Sequence, residues 1–112
     1  MPEYDNRCAH RLRTGVWGKV NMAAQRLLIE GRVQRVGYRD WAVRTARQLG
    51  VIGWVRNLQD GRVEILADGE DVALDTFVDR CREGPVMADV ARIDAMPAEA
   101  GNVKGFTKRF TA

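Results

Sequence analysis

The chain has 112 residues, 46% of them apolar and 29% charged, with a formal net charge of +3. That length builds one hydrophobic core and is too short for two domains; no apolar run approaches the ~18 residues that cross a bilayer, and no continuous hydrophobic stretch follows the N-terminal charges as in a secretory signal. A cytoplasmic protein with no membrane partner is therefore expected. The chain has no serine, His10 as its single histidine, and two cysteines, Cys8 and Cys81, without a Cys-x-x-Cys pair. Ser-His and Cys-His chemistry and a metal centre thus lack their usual material, and both thiols are expected to be free.

Residues 1–25 carry Arg7, Arg11, Arg13 and Lys19 among glycine, asparagine and scattered apolar residues, without a sustained period. They read as a poorly ordered extension of a domain spanning residues 26–112, with Met22 a candidate natural start. From Arg26 to Val33 the pattern is that of a strand, with Leu27, Ile29, Gly31 and Val33 on one face. The stretch Gly31-Arg32-Val33-Gln34-Arg35-Val36-Gly37-Tyr38-Arg39 then turns into a helix over Trp41 to Leu49, where Ala42, Ala46 and Leu49, with Val43 alongside, keep helical spacing up to a Gly50 cap. Residues 51–58 and 63–67 are β-rich and flank Gln59-Asp60-Gly61, which predicts a hairpin.

A second helix is expected from Glu70 to Glu83. Leu74, Phe77, Val78 and Cys81 share one stripe, acids stand at its start, Arg80 and Arg82 at its end, and Gly84-Pro85 stops it. Val90 to Met96 reads as a strand, Pro97 to Gly105 as a loop, and Phe106 to Phe110 as a last strand with both phenylalanines facing the same way. The order β-α-β-β-α-β plus a short fifth strand predicts an α+β, ferredoxin-like split β-α-β sandwich, an antiparallel sheet of four strands plus the fifth, with two helices on one face. Many unrelated functions use that topology, so it decides no activity.

Chemistry concentrates in the turn at 31–39. A strand-to-helix turn aims backbone N–H groups at the space before the helix, which suits an anion, and Arg32, Arg35 and Arg39 add three cations within nine residues. Residues 26–56 hold seven arginines against Glu30 and Asp40, whereas residues 57–112 are net acidic, so a local positive field surrounds the turn. A glycine turn with solvated arginines is the plain structural reading of the same residues. Nucleic-acid binding is disfavoured, because Trp54 is the only aromatic residue in the strand-like region 51–67 and no basic-Gly-aromatic run is present.

Three ordered segments, Gly31 to Arg39, Gly53-Trp54-Val55-Arg56-Asn57 and Asp60-Gly61-Arg62-Val63-Glu64, together resemble the acylphosphatase family, whose signatures run G-x-V-Q-G-V-x-[FY]-R and G-[FYW]-V-x-N. The resemblance covers about residues 26–111 and includes the Gly84-Pro85 stop and Gly105-Phe106. It implies hydrolysis of a carboxyl-phosphate bond, giving a carboxylate and inorganic phosphate, by a monomer needing neither metal nor cofactor. By the same resemblance, the loop Gln34, Arg35, Val36, Gly37 and Tyr38 would wrap the phosphoryl oxygens with backbone N–H groups, Arg39 would hold two of those oxygens, and Asn57 would orient the attacking water. Trp54 is expected to pack and Tyr38 to orient the loop, while Asp40 and Glu30 lie too close to arginines to form a catalytic carboxylate pair. This chain departs from the signature at Arg35, which stands where the second glycine is usual. A positive φ there would cost ~1–2 kcal/mol; a negative φ would leave an extra cation for ground-state binding. Because of Arg35 in the loop, the alternative function is a non-catalytic or weakly catalytic phosphate- or anion-binding module.

Overall fold

A computed structural model describes residues 24–112; the expected extension, together with Met22, Cys8 and His10, lies outside the described residues apart from Ala24 and Gln25. The elements are β1 (Ala24–Arg32), α1 (Tyr38–Leu49), β2 (Ile52–Asn57), β3 (Val63–Asp68), α2 (Asp71–Glu83), β4 (Asp89–Ala98) and β5 (Phe106–Lys108). The strands form one sheet in the order β4-β1-β3-β2-β5. β1 pairs antiparallel with β3 and β4, β2 antiparallel with β3, and β5 parallel with β2. The expected α+β sandwich is thus present, its sheet mixed because of the fifth strand.

Alternation along the strands sends Leu27 and Ile29 of β1, Val55 of β2, Val63 and Ile65 of β3 and Phe106 of β5 to one face, where all are essentially inaccessible. Both helices cover that face. Ala42 and Ala46 of α1 meet Leu74, Phe77 and Cys81 of α2 in the same core, and Phe77 packs edge-on against Phe106 with ring centroids 5.7 Å apart. Small alanines on α1 let that helix approach the sheet closely while the bulk comes from α2 and β5. Burying a phenylalanine of this kind contributes ~1.5–3 kcal/mol, so Phe77 and Phe106 carry much of the cohesion between layers.

Four boundaries differ from expectation. β1 begins at Ala24 because Ala24 pairs with Ala98 and Gln25 with both Ala67 and Pro97, lengthening the strand toward the N-terminus. α1 begins at Tyr38, since the Trp41 N–H already donates to the Gly37 carbonyl at 3.0 Å. β4 runs through Pro97, which a strand tolerates when its proline lies on the sheet edge and owes no ladder donor inward. β5 ends at Lys108, so the alternation stops there: Phe106 is buried whereas Phe110 is 95% exposed, contrary to a shared face.

β1 and β2 both run antiparallel to β3, and β5 runs parallel to β2. The C-terminal ends of β1, β2 and β5 consequently lie along one edge of the sheet. Three residues far apart in sequence meet there: the turn after Arg32, Asn57 and Lys108.

Candidate active site

The turn between β1 and α1 is held on both sides before any substrate arrives. Gly31 has φ 129°, and a Cβ there would lie 2.2 Å from the Asp89 carbonyl, so the close approach of β4 demands glycine. Gln34 spans from the turn to the hairpin, its Nε2 donating to the carbonyls of Leu58 at 2.8 Å and Arg62 at 2.9 Å. At the far end Tyr38 buries its ring and donates its hydroxyl to the Cys81 carbonyl at 2.6 Å. Burial, with the neighbouring Cys81 thiol adding to it, pushes the phenol far above its ordinary pKa, and the ring packs at a tilt on Trp41, centroids 5.3 Å apart. Gln34 and Tyr38 therefore spend their side chains on bracing the loop and leave its backbone to face outward.

Between these braces the backbone turns through Arg35 at φ 66° and Gly37 at φ 79°. Arg35 is the only non-glycine residue with positive φ among the described residues, which settles the conformational question at that position in favour of the strained form. The penalty of roughly 1–2 kcal/mol persists only because the flanking anchors over-determine the turn. Gly37 is the N-cap of α1 and no side chain caps the helix there. The first backbone N–H groups of the helix thus have no intrahelical acceptor and carry the positive end of its dipole.

In front of that helix end lies a cleft of about 210 Å³, walled by Val33, Arg35 and Gly37 of the turn, the start of α1 with Arg39 and Asp40, Asn57 at the end of β2, and Lys108 at the end of β5. The structure brings together Arg39 and Asn57, the two residues to which the resemblance gives the catalytic roles. It also adds two others: Asp40, set aside as too close to arginines to form a catalytic carboxylate pair, and Lys108, whose position depends on a parallel fifth strand that local pattern does not announce. Gln34 and Val36 do not wall the cleft with their side chains; Val36 packs partly against the core.

Arg39 Nη1 donates to the Arg109 carbonyl at 3.2 Å, which orients the guanidinium while leaving donors for a ligand. Lys108 Nζ reaches Asp40 Oδ1 at 2.8 Å. That hydrogen bond and charge, with smaller contributions from Arg44 and Arg39, hold the Asp40 carboxyl below its ordinary pKa. The cleft is therefore cationic, open to solvent, and backed by unbonded N–H groups, a combination able to receive an oxyanion with charge to spare. A larger depression of about 410 Å³ lies between Glu30, Gly31 and the hairpin turn at Asp60–Arg62. Its one cation, Arg62, is taken up by Asp60 at 2.8 Å, so that depression lacks the free positive charge of the first.

The outer face of the sheet uses its arginines differently. Glu64, 2% exposed, accepts bonds from Arg26 and, at 2.6 Å, from Arg56. Trp54 has the Arg56 and Arg109 guanidinium carbons 4.8 and 4.7 Å from its ring centroid. It packs as expected rather than offering a bare stacking surface.

The chain is similar to known proteins of one family. The family model described as Acylphosphatase matches residues 25–111. An acylphosphatase of Acidiphilium cryptum is 47% identical over 90 residues, covering 80% of this chain and 99% of that protein. The crystal structure of acylphosphatase from Bacillus subtilis superposes with a TM-score of 0.75 at 34% identity, covering 78% of this chain and 98% of that one. A structure of full-length HypF in a phosphate- and nucleotide-bound form gives a TM-score of 0.75 at 26% identity, covering 84% of this chain but 13% of that one. With a family model matching residues 25–111 and relatives covered over nearly their whole length, the chain belongs to the acylphosphatase family and is an enzyme that hydrolyses acyl phosphates.

Proposed function

We propose that hydrolysis takes place in the cleft in front of α1. The backbone N–H groups of residues 34–38 and the Arg39 guanidinium receive the phosphoryl oxygens, and the Asn57 amide orients the attacking water. The observation that carries this assignment is the meeting of Arg39 and Asn57, which belong to different elements, in one cleft at an uncapped helix N-terminus.

The chemistry needs little else. The water oxygen forms a bond to phosphorus, the bond from phosphorus to the acyl oxygen breaks, and the carboxylate leaves with the bonding electrons; the water proton passes to phosphate or solvent. A carboxylate is a good leaving group, so strong acid assistance is not required. What the protein supplies is position for water and preorganised donors for the equatorial oxygens. A planar guanidinium suits two of those oxygens at once. The protein works in this scheme as a cytoplasmic monomer on small molecules, with inorganic phosphate as a product.

Phosphate release from benzoyl phosphate tests the assignment. Arg39→Ala and Asn57→Ala should each lower kcat by about 10²–10³-fold, the size seen when one transition-state donor is removed, with the fold intact by circular dichroism. Asn57→Ala should keep inhibition by inorganic phosphate, because its role is with water; Arg39→Ala should lose it. Activity of either variant close to the parent's would place the reaction elsewhere, and release that stops on addition of a chelator would overturn the metal-free scheme.

A further inference from the structure

The first turn of α1 contains an apparent contradiction. Asp40 stands there, exposed, in the wall of the cleft that is to receive a phosphoryl group. An acid in the first turn stabilises a helix by meeting its positive end. A substrate anion seeks that same end, and a carboxylate at the mouth repels it.

Lys108 resolves the conflict. It reaches across from the end of β5 to the same cleft wall and bonds Asp40 at 2.8 Å. The charged side chains lining the cleft are Arg35, Arg39 and Lys108 on one side of the balance and Asp40 on the other. Lys108 and Asp40 cancel, so the phosphoryl group meets the undiminished charge of the two arginines and the helix end. We infer that Lys108 is a positioning residue for substrate binding: it takes up the Asp40 carboxylate and keeps that charge from opposing the phosphoryl group. It acts through Asp40 and does not itself touch substrate. The inference rests on the cleft being the phosphate site.

Balance of charge makes the test specific. Replacing Lys108 by methionine lowers the cleft's net charge by one, replacing Asp40 by asparagine raises it by one, and the double variant returns it to the parent value. At low ionic strength, Lys108→Met should raise the inhibition constant of inorganic phosphate and the KM for benzoyl phosphate about two- to five-fold, the scale of one solvent-exposed charge interaction, with kcat unchanged. Asp40→Asn should lower both constants. Lys108→Met combined with Asp40→Asn should restore both to the parent values, and added salt should shrink every difference.

A merely structural ion pair would move thermal stability and leave the phosphate constant alone. That result overturns the inference, as does a double variant that binds phosphate as weakly as Lys108→Met, since Lys108 would then contact the anion directly. Arg39→Ala measured alongside separates the two levels of the reading. If it leaves phosphate inhibition intact, the cleft is not the phosphate site and the role of Lys108 falls with it. If it abolishes inhibition while Lys108→Met is silent, the role of Lys108 alone is overturned.

Discussion

Two arginine-rich regions of this molecule carry the same kind of side chain to opposite ends. On the outer face of the sheet, Arg26 and Arg56 converge on the buried carboxylate of Glu64, and Arg56 and Arg109 flank Trp54. At the edge where β1, β2 and β5 end, Arg35 and Arg39 face a cleft whose one carboxylate, Asp40, is bound by Lys108. The first set shares one buried carboxylate and one aromatic face and works as a brace. The second is left charged because the neighbouring anion has a partner of its own. A count of basic residues along the chain merges the two, and only their neighbours separate cations already engaged from cations left available.

That contrast can be broken experimentally, and the largest effect is expected at the cleft. Arg39→Lys keeps the charge but loses the planar fork, so kcat/KM should fall about 10²-fold, whereas Arg56→Lys should leave kcat/KM as it is. Equal losses in both variants, measured on benzoyl phosphate, would erase the distinction.

The outer face should answer in stability instead. Glu64→Gln removes the charge and turns one of the two acceptor oxygens into a donor facing a partly solvated arginine, and the cost should be about 1–3 kcal/mol by urea unfolding at neutral pH, with kcat unchanged. Burial raises the Glu64 pKa, but the hydrogen bonds and charges of Arg26 and Arg56 outweigh it and the net shift is downward. A carboxyl lowered on folding binds fewer protons in the native state, so its contribution is complete above its ordinary pKa and disappears as the pH falls through the native value. The gap between parent and Glu64→Gln should accordingly be full at neutral pH and narrow as the pH falls below the ordinary glutamate range. A gap independent of pH would mean that packing, not charge, is what Glu64 supplies.

The smallest change is expected at Arg35. Arg35→Gly relieves a strained φ of 66° worth ~1–2 kcal/mol but adds unfolded-state freedom worth ~0.5–1 kcal/mol, leaving a net gain between zero and about 1.5 kcal/mol. Its turnover should rise, because tighter ground-state binding by an extra cation does not lower the barrier and an unstrained loop holds the phosphoryl group in better register. A glycine variant no faster than the parent would show that Arg35 does not impair the loop.

Much of the scaffold was legible in residue order. The stripe Leu74, Phe77, Val78 and Cys81 marked the inner face of α2, and Gly50 and Gly84 marked the helix ends, because helical period and positive-φ glycine caps are local properties. Asn57 and Arg39 were legible through spacing within two signatures. Pro97 and Phe110 were misjudged for the opposite reason: whether a proline is tolerated, or a phenylalanine buried, depends on which strand lies beside it. Pro97 sits on an outer edge, and Phe110 lies beyond the last residue of β5.

By itself, the sequence of Gly31 to Arg39 determined that a turn bearing three arginines would lead from a strand into a helix, since glycine placement and hydrophobic period act over a few residues. Tertiary structure alone decided which cations stay available. Glu64 reaches Arg26 across 38 positions and Lys108 reaches Asp40 across 68, so the electrostatics of the cleft arise from strand order and register, which bring into contact groups that no local pattern relates.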